Sequence, residues 1–126
     1  MANVQHFRDL VAYQRSRSLA GEVYRFSASF PKDDRFELTS QVRRAANSIA
    51  LNIAEGFGIG TTQDTLRHLR IARGSLCEVG AALDLAGDYG FGAPPQSLAE
   101  LHAETERVLQ GLIRSMEAHV LATHAR

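Results

Sequence analysis

The chain has 126 residues, of which 44% are hydrophobic and 7% aromatic, and its formal net charge is zero. This size suits one domain with its own core, which we predict over residues 1–126. The single cysteine, Cys77, excludes an intrachain disulfide and favours a cytoplasmic protein, and no apolar run approaches the roughly 20 residues of a membrane span.

The zero net charge conceals an uneven distribution along the chain. Through Arg73, eleven Lys and Arg residues oppose seven Asp and Glu, whereas from Gly74 onward three oppose seven. Such a difference can orient subunits or partners. A polyanion-binding protein usually has a larger basic excess, so the charge is only weak support for nucleic-acid binding.

Helix 1 is predicted from about Phe7 to Phe26, with apolar residues that cover an arc wider than a single core-facing stripe. The segment Phe30–Asp34 is predicted to form a turn, because Pro31 breaks a helix and aspartates favour helix caps.

Helix 2 is predicted from about Thr39 to Glu55, with Gly56 as its left-handed terminator. Its apolar stripe consists of Leu38, Val42, Ala45, Ile49 and Ile53. A second row, which is polar, lies directly beside this stripe instead of opposite it. Polar groups at the edge of a core usually need specific partners.

Helix 3 is predicted from about Thr62 to Asp88, with an N-terminal cap within Thr61–Asp64. Its apolar stripe consists of Leu69, Ala72, Leu76, Val79, Leu83 and Ala86. Three glycines inside it, Gly74, Gly80 and Gly87, each cost about 1 kcal/mol relative to alanine, which indicates close approach of another backbone. The glycine-rich segment 56–60 follows a helix and not a strand, so we interpret it as a connection and not a nucleotide loop.

Helix 4 is predicted from about Ser97 to beyond His119, again with a broad apolar band. Four helices with short connections predict an all-α protein, an antiparallel up-down-up-down four-helix bundle. The broad bands on helices 1 and 4 predict a second buried surface, which self-association would supply.

Several segments together point to a known family: Phe7–Leu10 with Tyr13, Phe30–Pro31, Leu38–Ala46, Ser48–Ile49, Asn52–Gly56, and Ile71–Leu76 with Glu78. This pattern closely resembles the four-helix-bundle proteins encoded in intervening sequences of bacterial 23S ribosomal RNA genes. The resemblance implies antiparallel four-helix subunits in a five-membered ring. Most members have no assigned activity, and a related branch, the accessory variability proteins of diversity-generating retroelements, associates with a reverse transcriptase and nucleic acid.

One candidate site is a polar network between helices 2 and 3. We predict that it contains Arg44, Ser48, Asn52 and Glu55 from helix 2, and Ser75 and Glu78 from helix 3. The alternative interpretation of these residues is a recognition groove on the assembled ring.

A second candidate is a basic patch at the start of helix 3, formed by Arg67, Arg70 and Arg73 with His68 nearby. It could contact the phosphates of RNA or DNA, and a ring would multiply weak contacts by avidity. The alternative is a solvated face with intersubunit ion pairs.

The evidence for an enzyme is weak. We expect Cys77 to be a buried structural thiol, and Asp64 with His68 to be a solvated pair and not a metal site. Arg114 and His119 have the spacing used by HEPN-type ribonucleases. The alternative interpretation is that both residues lie on a solvated C-terminal helix without a catalytic role.

We therefore expect a non-catalytic scaffold or adaptor that needs no cofactor or metal and self-assembles, as a pentamer by resemblance. The runner-up is an accessory RNA- or DNA-binding protein that acts with a reverse transcriptase or another ribonucleoprotein, and a HEPN-like ribonuclease is a distant third.

Overall fold

The computed structural model describes residues 6–124. Four helices follow one another along the chain: α1 Val11–Ser27, α2 Leu38–Ile59, α3 Thr62–Asp88 and α4 Gln96–His124. Short 3-10 turns, Phe7–Asp9 and Lys32–Asp34, precede α1 and α2. Within residues 6–124 there is no strand, so the predicted all-α class is confirmed. Residues 1–5 and 125–126 of the predicted domain lie outside the described residues.

The four helices form an antiparallel bundle in which α1 packs against α2 and α4, and α3 packs against the same two helices. Side-chain contacts fix the direction of each pair. Between α1 and α4, Arg15 reaches Glu104 while Glu22, further along α1, reaches Ser97, which lies earlier in α4. Between α2 and α3, Ser48 contacts Ser75 while Asn52 contacts His68. Between α3 and α4, Arg70 reaches Glu117 while the Leu76 carbonyl, further along α3, contacts His102, which lies earlier in α4. With these three pairs antiparallel, consecutive helices alternate in direction, as the up-down prediction requires.

The core is made of the stripes that the helical spacing predicts. Every residue of the predicted α2 and α3 stripes is buried, and α1 and α4 contribute Leu19, Val23, Leu109 and Ile113, each at most 1% exposed. All of these residues belong to one continuous cluster, because each helix directs its apolar face toward the bundle axis.

The end of α2 differs from the prediction. Gly56 does not terminate the helix, which continues to Ile59 and ends at Gly60 with a left-handed φ of 101°. Gly56 instead lies where α3 approaches most closely: a Cβ added there would stand 2.9 Å from the Cβ of His68. The Thr65 hydroxyl also donates to the Gly56 carbonyl at 2.7 Å. The glycine is therefore a contact point between helices.

The interpretation of the α3 glycines was wrong. A Cβ at Gly74 or Gly87 would meet nothing within 4 Å, because both glycines are exposed. At Gly80 the neighbour is a side chain and not a backbone, since a Cβ there would stand 3.2 Å from Nε2 of His102. The cap within Thr61–Asp64 is confirmed by a bond from the Asp64 backbone N–H to the Thr61 hydroxyl.

The apolar bands on α1 and α4 are mostly used within the subunit, which corrects the reason given above for self-association. Tyr13, Phe26, Leu101 and Val108 pack against the core as partly buried residues. The large apolar residues that these two helices expose are Val11 and Tyr24 on α1 and Leu121 on α4, within the described chain. The other five large apolar residues that the described chain exposes lie on α2 and α3 or directly beside them: Phe36, Leu51, Ile71, Leu85 and Tyr89.

Candidate interaction groove between α2 and α3

The outer side of the α2–α3 pair forms an open groove with a volume of about 1080 Å³. It lies between two adjacent antiparallel helices and runs from the loop before α2 to the last turns of that helix. Its lining residues are Asp34, Phe36, Glu37, Leu38, Gln41, Arg44, Ala45, Asn47, Ser48, Leu51, Asn52, Glu55, Ser75, Glu78, Leu85 and Tyr89. The groove thus contains all six residues of the predicted polar network.

A chain of hydrogen bonds joins α2 to α3 at the inner wall of this groove. The Ser75 hydroxyl donates to the Ser48 hydroxyl oxygen at 2.9 Å, and the Asn52 amide nitrogen donates to the same oxygen at 2.9 Å. The remaining amide oxygen of Asn52 lies 3.0 Å from Nδ1 of His68. Three of the predicted network residues are therefore brought together, with a fourth partner that the sequence interpretation missed.

His68 is that fourth partner, and it is buried instead of solvated. The Asn52 amide nitrogen faces Ser48 and donates to it, so the Asn52 amide oxygen faces His68. Because an amide oxygen can only accept, we assign a proton to Nδ1 of His68. Nε2 then accepts from the Arg67 guanidinium at 3.4 Å. The expectation of a solvated Asp64–His68 pair was wrong. The spacing of seven between His68 and Ser75, which puts both on one side of α3, was the signal that could have revealed this.

Arg44, Glu55 and Glu78 lie at the exposed rim and not inside the network. Arg44 donates to the Ser40 hydroxyl at 3.0 Å, and Glu78 accepts from Gln41 at 3.3 Å. Glu55 stands 3.9 Å from His68 with 65% of its side chain exposed. The prediction that these residues form a buried network was wrong for the single subunit. A row at four-residue spacing drifts about 40° around a helix at each step, so Arg44 points outward where Asn52 points inward.

Large apolar side chains border the same groove. Of the eight that the described residues expose, four line it: Phe36 at 79% exposure, Leu51 at 65%, Tyr89 at 57% and Leu85 at 39%. Phe36 precedes α2 and Tyr89 follows α3, so the antiparallel packing places them at the same end. Half of the exposed large apolar residues thus border one groove together with polar residues, which favours a protein-protein contact.

The charge of the groove is predominantly acidic. Glu37, Glu55 and Glu78 are exposed along it, and Arg44 is the basic residue among those that line it. Asp34 has a different role, since its carboxylate accepts from the backbone N–H and the hydroxyl of Thr39, both at 2.9 Å, and so stabilises the start of α2.

The predicted basic patch lies on the other side of α3, toward α4. Arg70 pairs with Glu117 at 2.9 Å, Arg73 donates to Gln110 at 3.0 Å, and Arg67 lies 3.9 Å from Asp64. The three arginines are exposed, but each already has an acceptor within the subunit. His68 does not belong to this patch because its ring points into the α2–α3 seam.

The other candidate reactive groups are scattered over the surface. Cys77 is exposed, so the expectation of a buried thiol was wrong. Arg114 and His119 are both exposed on α4, and no hydrogen bond joins their side chains among the described residues. In the same part of the chain, no group of three His, Cys, Asp or Glu residues is placed to hold a metal ion.

A family model described as 23S rRNA-intervening sequence protein matches residues 8–114. The chain belongs to this family. The match includes the whole α2–α3 groove, while His119 and the last turns of α4 lie beyond it. No curated protein has a sequence that matches the chain. None of the helices in the described range is long and apolar enough to cross a membrane.

Proposed function

We propose that this member of the 23S rRNA-intervening sequence family is a non-catalytic scaffold that self-associates through its α2–α3 groove. The observation that carries the proposal is the set of exposed apolar residues along the groove, Phe36, Leu51, Leu85 and Tyr89. Water contact with such surface is unfavourable by about 25 cal/mol per Å², so contact with another copy would be stabilising. Five copies is the number implied by the resemblance to ring-forming relatives.

The character of the groove supports a contact surface over a catalytic site. Both ring nitrogens of His68 are engaged within the seam, and the hydroxyls of Ser48 and Ser75 bond to each other. The residues left at the surface are mainly apolar side chains and carboxylates, together with Gln41, Arg44 and Asn47, and such a mixture suits binding. Arg114 and His119, the residues of the ribonuclease alternative, lie on α4 outside this groove.

Light scattering on the purified chain at micromolar concentration tests the proposal. We expect a mass that is a multiple of the 13.8 kDa subunit, and five times that mass for a pentamer. Leu51→Ser should shift the mass toward the monomer. Leu121→Ser is the matched control, since Leu121 is 70% exposed on α4, and it should leave the mass unchanged. A parent chain that stays monomeric would contradict the proposal.

The alternative function, an accessory protein for RNA or DNA, depends on Arg67, Arg70 and Arg73. Their exposure favours it, although the bonds of Arg70 to Glu117 and of Arg73 to Gln110, and the proximity of Arg67 to Asp64 at 3.9 Å, compete with phosphate. If they contact phosphates, binding to generic RNA or duplex DNA should be micromolar or weaker and steeply salt-dependent, because each contact releases counterions. The triple change to Gln should then flatten the salt dependence. Equal binding by parent and triple variant would reject this role.

A further inference from the structure

The acidic character of the groove constrains which surface of a second copy can occupy it. Glu37, Glu55 and Glu78 outnumber Arg44 on this face. Two grooves placed against each other would bring like charges together, which opposes association. The occupant should therefore be a different and basic surface, and the contact should be heterologous, joining unlike faces of two copies.

The outer side of α1 has the required charge. Arg17 and Arg25 are exposed there, and Glu22 is the acidic residue within the helix. Among the described residues, neither of these two guanidinium groups has a carboxylate within 4.0 Å. The Arg17 guanidinium lies over the Tyr13 ring at 5.9 Å, and that of Arg25 lies over Gly21 along the helix surface. Both charges thus remain available to a neighbouring molecule.

The lengths of the two surfaces also agree. With 17 residues, α1 is about 26 Å long at 1.5 Å per residue. The groove extends from Glu37, directly before α2, to Glu55 within it, a rise of about 27 Å on the same basis.

We propose that the α2–α3 groove of one copy binds the outer side of α1 of the next copy, with Arg17 and Arg25 facing the exposed carboxylates of the groove. This inference rests on the self-association proposed above and names the surface that completes it. Each subunit then uses one groove and one α1 face. The contact is head-to-tail, and it closes into a ring when the rotation between neighbours allows.

Charge reversal on each face separately tests this pairing. We expect Arg17→Glu with Arg25→Glu to raise the concentration at which the oligomer dissociates by about tenfold or more. Glu55→Arg with Glu78→Arg should have an effect of the same size. The four changes together should restore assembly, since the charges are then exchanged and again complementary. The matched control is Arg107→Glu with Arg114→Glu, two exposed arginines of α4, which should assemble as the parent does.

The outcomes separate this inference from the proposed function. Analytical ultracentrifugation gives the dissociation concentration, and circular dichroism confirms that each variant is folded. A monomeric parent overturns both proposals. An assembled parent that is unaffected by reversal of the α1 charges overturns the α1 contact and leaves self-association standing. Failure of the folded fourfold variant to reassemble also overturns the pairing.

Discussion

The two seams of α3 are built differently. Toward α4, the seam is closed by contacts within the subunit: Arg70 with Glu117, Arg73 with Gln110, and His102 with the Leu76 carbonyl at 2.9 Å. Toward α2, the Ser48–Ser75 and Asn52–His68 hydrogen bonds fill the inner wall, and the bond from Gln41 to Glu78 at 3.3 Å crosses the outer rim. The outer wall exposes apolar side chains and carboxylates. One seam has its polar groups paired across the helices, whereas the other leaves four large apolar side chains exposed along its outer wall.

Substitutions in the inner wall of the α2–α3 seam should lower the unfolding free energy most, and Gly56 is the position where the two helices pack most closely. Gly56→Val should cost about 3 kcal/mol of unfolding free energy, because its Cβ would stand 2.9 Å from the Cβ of His68. Gly74→Ala is the control, since a Cβ there meets open space, and it should stabilise by up to about 1 kcal/mol. Urea denaturation measures both values. Equal effects of the two changes would contradict the close packing at Gly56.

Substitutions in the chain of hydrogen bonds between α2 and α3 should have the next largest effect on the unfolding free energy. His68→Leu should lower the unfolding free energy by about 2 kcal/mol, because it leaves the amide oxygen of Asn52 without its hydrogen-bond donor inside the seam. Combining it with Asn52→Leu should cost less than the sum of the two single changes, since no unpaired partner remains. A double-mutant cycle on thermal or urea unfolding measures this. Strict additivity would argue against the bond.

Substitutions at the outer rim of the groove should change the unfolding free energy of a single subunit least. Arg44→Ala should change the unfolding free energy by no more than about 0.5 kcal/mol, because Arg44 is exposed and bonds only to Ser40 among the described residues. The measurement belongs at a concentration where the chain is monomeric, so that no subunit contact contributes. A loss of about 3 kcal/mol there would instead indicate the buried network that the sequence suggested.

The core was predictable because helical periodicity alone determines which stripe faces the bundle axis. Ile49, Ile53, Leu69 and Leu76 all lie where that spacing places them. Periodicity does not determine how a row beside the stripe divides between the seam and the rim. That division depends on the drift of the row around α2, which turns Asn52 inward and Arg44 outward.

Contacts between distant segments were the other part that the sequence could not supply. Gly56 has the local chemistry of a helix terminator, but the approach of Thr65 and His68 from α3 gives it a different role. His68 was assigned to its neighbour Asp64, whereas the structure joins it to Asn52, sixteen residues away. In both cases the sequence interpretation chose a role or partner close in sequence, whereas the structure shows a contact with a distant segment.

Hydroxyl-radical footprinting below and above the assembly concentration tests the central claim most directly, that the α2–α3 groove is the surface left open for another copy. We predict that Phe36, Leu51 and Tyr89 lose reactivity as the concentration rises. Leu121, which is comparably exposed on α4, should keep its reactivity. Unchanged labelling of the three groove residues in an assembled sample, or protection of Leu121 instead, would contradict the account.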